Sequence, residues 1–165
     1  MLFRHATFRD LTEIMRIIDA AVGRMLAEGK CQWSEEYPRD KHIIADIMAG
    51  NGYVLDDWGR IMAYGAAVFT GEPAYENIDG EWLTDGDYVV VHRMAVAQDV
   101  QSQGIGRKFL VAVEKYAANL GVGSFRIDTN FDNDRMLALL DKCSFEFTGL
   151  IHYPQGERRA FEKLI

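Results

Sequence analysis

The sequence predicts a mixed α/β (α+β) fold: a single domain over residues 1–165, with a sheet covered by helices on both faces. Runs rich in β-branched residues alternate with runs whose apolar residues recur every three or four positions, so strands and helices interleave along the chain. The last two strand-like runs flank a turn at 154–156, which predicts a closing antiparallel hairpin. The length of 165 residues suffices for one core.

The N-terminal part predicts one strand followed by two helices. A short strand covers residues 2–5, and Thr7 with Asp10 predicts a capping box for the first helix. The apolar stripe of that helix is Leu11, Ile14, Met15, Ile18, Val22, Met25 and Leu26. A loop spans residues 29–37, and Pro38 suits the first turn of the second helix.

The middle of the chain predicts a hairpin, a long loop and a further strand. Residues 53–56 and 60–69 flank a turn at Asp57-Trp58-Gly59. Residues 70–86 form a long polar loop, and loops of this length often carry function. The next strand covers residues 88–96 and is rich in valine.

The C-terminal part predicts two helices, a strand and the closing hairpin. The first of these helices ends near Leu120, and a strand at 125–129 follows it. Asn133 opens a short helix that ends near Lys142, and the strands of the hairpin cover residues 145–151 and 159–163.

A glycine-rich turn, Gln101-Ser102-Gln103-Gly104-Ile105-Gly106-Arg107, joins the 88–96 strand to the next helix. A helix N-terminus offers unpaired N–H groups and partial positive charge, and glycine lets an anion approach the backbone. One residue separates Gly104 from Gly106, and Lys108-Phe109 follows, which excludes a P-loop and a dinucleotide fingerprint. The turn is therefore either another kind of phosphate cradle or a plain strand-to-helix connection.

The pattern Gln101-x-x-Gly104-x-Gly106, following Met94-Ala95-Val96, resembles the acetyl-CoA signature of the GNAT superfamily of N-acetyltransferases. Thr7-x-x-Asp10 and Asn133, twelve residues before Phe145, also match that family, and the resemblance covers residues 2–147. It implies a GNAT-like fold with a mostly antiparallel mixed sheet that splays open beside the strand holding His92. It also implies acetyl-CoA as cofactor, with CoA as product, and direct acetyl transfer without a covalent enzyme intermediate.

The same resemblance implies which residues bind the cofactor. They are Met94, Ala95, Val96, Gln101, Ser102, Gln103, Gly104, Ile105, Gly106, Arg107, Lys108 and Asn133. Arg107 and Lys108 could pair with the phosphates of CoA, or could form an ordinary solvated helix face. Asn133 could hold the pantetheine arm, could cap its helix, or could do both.

N-acetylation requires a neutral amine, and deprotonating an alkyl ammonium at pH 7 costs about 4 kcal/mol. His92 is the candidate base, because a family member uses a histidine at the matching place, with a water molecule as the bridge. The alternative is a core histidine. Many family members place a tyrosine as general acid where this chain has Leu140, and a glycine where it has Ser144. Tyr153, Tyr88 or water could supply that proton.

Two segments are candidates for binding the acceptor. Residues 71–87 contain six acidic residues and no lysine or arginine, and with Trp82 they could attract and hold a cationic amine. Trp33 and Tyr37 lie in the loop that usually forms one wall of the acceptor site in the family. The predicted acceptor is a primary amine of a small molecule. A protein or peptide amine, or a non-catalytic acyl-CoA sensor, are the alternatives.

Composition limits the partners and the location. The net charge of −7 argues against binding nucleic acid. No apolar run approaches 18 residues and no signal-peptide layout is present, so we expect a cytoplasmic protein that does not enter a membrane. Cys31 and Cys143 are the only cysteines and predict free thiols, and no Cys/His spacing indicates a metal site. A monomer and a homodimer are both compatible with the sequence.

Overall fold

The computed structural model describes residues 1–165 and confirms the predicted mixed α/β class, with eight strands and four α-helices. The chain divides into two compact units. The first unit contains Met1–Ala67 and His92–Ala112, and the second contains Val68–Val91 and Val113–Ile165. None of the four helices has both the length and the apolar character needed to cross a bilayer.

The first unit is built on antiparallel strands and the helices that cover them. Its elements are β1 (Leu2–His5), α1 (Leu11–Ala27), α2 (Asp40–Met48), β2 (Gly52–Asp57), β3 (Arg60–Val68), the second half of β5 (Tyr88–Val96) and the start of α3 (Ile105–Asn119). Strand β2 pairs with β1 and with β3, in both cases antiparallel. The buried side chains of this unit include Ile14, Ile18, Ile43, Val54, Tyr64 and Phe109.

The second unit contains both parallel and antiparallel pairs. Its further elements are β4 (Asp79–Gly80), β6 (Ser124–Thr129), α4 (Asp134–Lys142), β7 (Glu146–Tyr153) and β8 (Gly156–Leu164). Strand β6 pairs in parallel with the first half of β5, where Val90 lies opposite Arg126, and antiparallel with β8. Strand β7 pairs antiparallel with β8 and with the two residues of β4.

The predicted capping box at the start of the first helix is confirmed. The Thr7 backbone N–H donates to Asp10 Oδ2 at 2.7 Å, and the Thr7 hydroxyl donates to the same oxygen at 3.0 Å. Arg4 adds two hydrogen bonds to this carboxylate, at 2.8 and 2.9 Å. These hydrogen bonds from Arg4, reinforced by Thr7, lower the pKa of Asp10 to about 2.

The second helix begins later than Pro38 suggests. Helix α2 starts at Asp40, because Arg39 is its N-cap and donates its backbone N–H to His42 Nδ1 at 2.9 Å. Pro38 therefore precedes the helix instead of occupying its first turn.

The polar stretch at 70–86 is not a structureless loop. It contains a 3-10 turn at Pro73–Asn77 and the short strand β4. Glu72 caps the 3-10 turn, since its carboxylate accepts a hydrogen bond from the Ala74 N–H. Tyr75, in the middle of this turn, is only 2% exposed and packs with Val90 and Ile151. One aromatic ring anchors a segment whose polar composition predicts a solvated loop.

Candidate functional site

The turn that opens helix α3 has the backbone geometry of an anion cradle. Ser102 and Gly104 both have left-handed φ angles, of +64° and +76°. The Lys108 N–H donates to the Gly104 carbonyl at 3.0 Å, so the N–H groups of residues 105–107 precede the first helical hydrogen bond. A Cβ on Gly104 would meet no protein atom within 4 Å, which leaves the space in front of the turn open. A phosphate group fits this arrangement.

The charges around this turn also suit an anion. Arg107 and Lys108 are exposed at the start of α3 and form no ion pair with the rest of the chain. Asp99, which precedes the turn, is an ion-pair partner of Arg60. That hydrogen bond lowers the pKa of Asp99. The negative charge of Asp99 is thus balanced by Arg60, whereas the positive charges of Arg107 and Lys108 remain available for an anion.

Eleven of the twelve predicted cofactor residues lie on one continuous segment of the first unit, from Met94 to Lys108. Asn133 lies in the second unit, where its side chain caps helix α4. Its Oδ1 accepts a hydrogen bond from the Met136 N–H at 3.3 Å, and its Nδ2 donates to Thr129 Oγ1 at 3.1 Å. The helix-cap reading of Asn133 is confirmed, and its contact with a cofactor remains a prediction.

Strand β5 contains a residue of unusual backbone conformation next to His92. Arg93 has a φ of +52°, a left-handed conformation that is uncommon for a residue other than glycine. Simple alternation of side chains, which puts His92 on one face with Met94 and Val96, is interrupted at this residue. His92 itself is half-buried, as are Met94 and Val96, whereas Ala95 is buried.

The side chain of Arg93 holds a buried polar network that the sequence did not reveal. Its Nε donates to Asp46 Oδ2 at 2.8 Å and its Nη2 to Asp46 Oδ1 at 2.5 Å. The Tyr64 hydroxyl donates to the same carboxylate at 2.6 Å, and Arg93 Nη1 donates to the Tyr37 hydroxyl at 3.0 Å. Burial lowers the pKa of Arg93, but the hydrogen bonds to Asp46 and Tyr37, together with the electrostatic attraction of these two partners, more than offset it, so the pKa is raised.

The loop predicted to form the acceptor wall contains one buried and one exposed aromatic ring. Trp33 is 6% exposed and packs inside the first unit, whereas Tyr37 is 37% exposed. The Tyr37 ring packs edge-on against His42, with centroids 4.8 Å apart. An open groove of about 610 Å³ runs between α1 and this loop, and its charged lining residues are Asp19, Glu35, Glu36 and Arg39, of which Arg39 pairs with Asp19 at 3.2 Å. Contact of Trp33 or Tyr37 with the acceptor remains a prediction.

Trp82, which is predicted to hold a cationic amine, packs against an arginine of the chain. Its ring lies over the guanidinium of Arg126, 4.3 Å from the centroid, and the Tyr88 ring lies at 4.1 Å. Its Nε1 donates to the Tyr75 carbonyl at 2.9 Å. Arg126 in turn pairs with the fully buried Glu162 at 3.1 Å. This face of Trp82 is therefore occupied.

Leu140, which stands at the position of the usual general acid, is 0% exposed and belongs to the core of the second unit. The Tyr153 hydroxyl donates to Asp128 Oδ2 at 3.0 Å, and burial together with the charge of Asp128 raises the pKa of Tyr153. The Tyr88 hydroxyl accepts a hydrogen bond from the Glu72 N–H at 2.8 Å. Both tyrosines therefore have structural partners.

Comparison with known proteins gives a consistent result. The model of the Acetyltransferase (GNAT) family matches residues 18–145 of this chain. A GNAT-family acetyltransferase of Streptococcus agalactiae is 28% identical, with a TM-score of 0.90 over 99% of this chain and 95% of that one. The comparison with curated proteins gives no significant match.

Two more distant structures share the architecture. Ribosomal-protein-alanine N-acetyltransferase of Brucella melitensis is 20% identical, with a TM-score of 0.71 over 100% of both chains. A variant of agmatine N-acetyltransferase is 14% identical, with a TM-score of 0.69 over 99% of both chains. At these identities the likeness extends to the fold alone.

Proposed function

This chain belongs to the GNAT family of acetyltransferases, and we propose that it transfers the acetyl group of acetyl-CoA to a primary amine of a small molecule. The observation that carries the proposal is the turn at 101–107. Its open helix N-terminus, together with the unpaired Arg107 and Lys108, suits the phosphates of CoA.

The residues of the first unit fit the cofactor in their chemistry. Bound acetyl-CoA supplies an activated acyl group. The N–H groups of the 101–107 turn bind its pyrophosphate, and Arg107 and Lys108 add positive charge. A backbone N–H in the Met94–Val96 segment of β5 would stabilise the negative charge that develops on the acetyl carbonyl oxygen during transfer. The open space in front of Gly104 supports this assignment.

His92 is the proposed general base and acts through a bridging water molecule. A small-molecule amine reaches the enzyme as an ammonium ion and must lose a proton before it can react. The half-buried imidazole, next to the left-handed Arg93, takes up that proton. Leu140 has no proton to give, and the Tyr153 hydroxyl already donates to Asp128 and has a raised pKa. The CoA thiolate that leaves must be protonated, and we propose that water supplies this proton.

A small acceptor is favoured by the charge of the chain and by its grooved surface. The net charge of −7 and the two carboxylates of the groove beside α1 that have no cation partner, Glu35 and Glu36, attract small cations. A peptide or protein amine is the competing acceptor.

The test is release of free thiol from acetyl-CoA by the purified protein in the presence of acceptors. The panel contains mono-amines, diamines, amino acids and short peptides with free N-termini. Turnover with a small amine at a kcat/KM above that of every peptide supports the proposal. A higher kcat/KM with a peptide would show that the acceptor is a peptide or protein amine instead of a small molecule. Tight CoA binding by calorimetry with no turnover on any amine overturns the enzymatic role and indicates a sensor.

A further inference from the structure

A carboxylate stands at the entrance of the turn that is proposed to bind the phosphates. Asp99 precedes this turn by two residues, in the 3-10 turn Gln98–Val100, and its side chain is 64% exposed. Arg60 balances the charge of Asp99, but a neutral side chain in its place would leave Arg60 free to attract phosphate. On charge alone, Asp99 therefore weakens an anion site.

The contacts of Asp99 attach the segment before the turn to strand β3. Its carboxylate binds the guanidinium of Arg60, the first residue of β3. Two residues further along this strand, the Met62 carbonyl accepts a hydrogen bond from the Ala97 N–H at 2.9 Å. The segment that leads into the turn is thus held to β3 by one backbone contact and by one side-chain pair.

Arg60 is a well-fixed partner, because it follows a tight hairpin turn. Only Trp58 and Gly59 connect β2 to β3, and both have left-handed φ angles, of +56° and +91°. The Gly59 N–H donates to Asp56 Oδ1 at 2.6 Å, which closes the turn. Asp99 is therefore paired with a residue whose backbone is held by the hairpin.

The turn at 101–107 has few contacts that could maintain its own conformation. Ser102, Gln103 and Gly104 are exposed, and the left-handed φ of Ser102, +64°, costs energy in a residue other than glycine. Gln103 Nε2 donates to the Asp99 carbonyl at 3.4 Å. This contact links the middle of the turn to the residue that Arg60 holds.

We propose that Asp99 is a positioning residue for the phosphate site. Through Arg60 it holds the turn at 101–107 in the conformation that binds phosphate, and this effect outweighs the cost of its charge. An exposed ion pair adds little to the stability of a whole fold, but a short exposed segment opens at low free energy and one pair can order it. All of these residues belong to the first unit. The inference rests on the proposed function, because the anion is CoA.

Asp99→Asn is the decisive variant, because charge and positioning predict opposite results. On charge alone it should bind CoA more tightly than wild type. We expect calorimetry to show CoA affinity reduced by about fivefold, which is the size of effect that an exposed ion pair allows. Asp99→Glu keeps the charge and can still pair with Arg60, so it should bind CoA like wild type.

Asp57→Asn is the matched control. Asp57 lies opposite Arg60 at the same end of the hairpin, and its partner is the N-terminal amine at 3.4 Å. The variant removes the same charge without releasing the turn, so its CoA affinity should not fall. Unchanged or tighter binding by Asp99→Asn would overturn the inference, and so would an equal loss in Asp57→Asn.

Hydrogen–deuterium exchange without CoA measures the order of the turn itself. The backbone N–H groups of residues 101–107 should exchange faster in Asp99→Asn than in wild type, and they should not do so in Asp57→Asn. If wild type does not bind CoA, the proposed function fails, and the exchange rates alone decide whether Asp99 positions the turn. Equal rates in wild type and Asp99→Asn would show that it does not.

Discussion

Arg93 and Asp46, 47 residues apart in sequence, form a two-pronged ion pair in the interior of the first unit. The pair joins the left-handed residue of β5 to helix α2, and through Tyr37 it reaches the loop that precedes this helix. The backbone next to His92 is thereby fixed by contacts on two other elements. We regard Arg93 as a positioning residue for His92.

Replacing Arg93 should therefore reduce stability considerably. Arg93→Ala leaves Asp46 buried without its cation, and breaking a buried pair in this way costs about 3 kcal/mol. Arg93→Lys keeps the charge but not the two-pronged geometry, so it should fall between the wild type and alanine. Urea unfolding measures the free energies. Arg60→Ala, which breaks the exposed pair with Asp99, is the control and should change stability little. Equal losses of unfolding free energy in Arg93→Ala and Arg60→Ala would contradict the stabilising role of the Arg93–Asp46 pair.

Gly104→Val should weaken CoA binding by about tenfold or more, because its side chain enters the open space in front of the turn. Gly121→Val is a matched control. Gly121 follows α3, its φ of +78° is close to the +76° of Gly104, and a Cβ there also meets no atom within 4 Å. Both variants carry similar backbone strain, so only the location differs. Calorimetry with CoA should detect the loss in Gly104→Val alone.

His92→Gln should lower kcat by about a hundredfold and remove the acid limb of the pH–rate profile. The amide cannot accept a proton from the amine, whereas CoA affinity should not change. His152→Gln serves as control, since His152 is exposed and contacts Asp79 and Glu157. An unchanged pH profile in His92→Gln would remove this residue from the mechanism.

Asp10 should make stability sensitive to acid. Its pKa falls from an ordinary 3.8 to about 2 in the folded protein, chiefly because Arg4 hydrogen-bonds its carboxylate. The folded state favours the ionised form, so this contribution is complete above a pH of about 4 and is lost as the pH falls through about 2. Because solvent screens this partly exposed ion pair, the contribution amounts to roughly 1 kcal/mol. Asp10→Asn should flatten the decline in unfolding free energy over that range, whereas the exposed Asp141→Asn should not.

Features that depend on neighbours in the chain were predictable from the sequence. The Thr7–Asp10 capping box, the turn before α3 and the cap at Asn133 each involve residues at most a few positions apart. Their residue types therefore specify the local geometry. The alternation of strands and helices was likewise predictable from periodicity, and it indicated the fold class.

Features that depend on distant side chains were not predictable. Arg93 meets Asp46 across 47 residues, and Tyr75 meets Asp128 across 53. In the sequence, each of these residues looks like an ordinary polar or aromatic position. The left-handed φ of Arg93 could not be predicted from the sequence either, because arginine rarely adopts it and only the surrounding contacts maintain it. The order within residues 70–86 also depends on distant contacts, since one ring, Tyr75, holds the segment against Val90 and Ile151.

The three tryptophans of the chain occupy three different surroundings. Trp33 is buried in the first unit, Trp82 lies over Arg126 in the second, and Trp58 is 98% exposed in the turn between β2 and β3. Variants that retain only Trp33 or only Trp82 would give each unit its own fluorescent reporter. Coincident unfolding curves from the two reporters would identify the chain as one cooperative body, whereas separated curves would show that the two units melt independently.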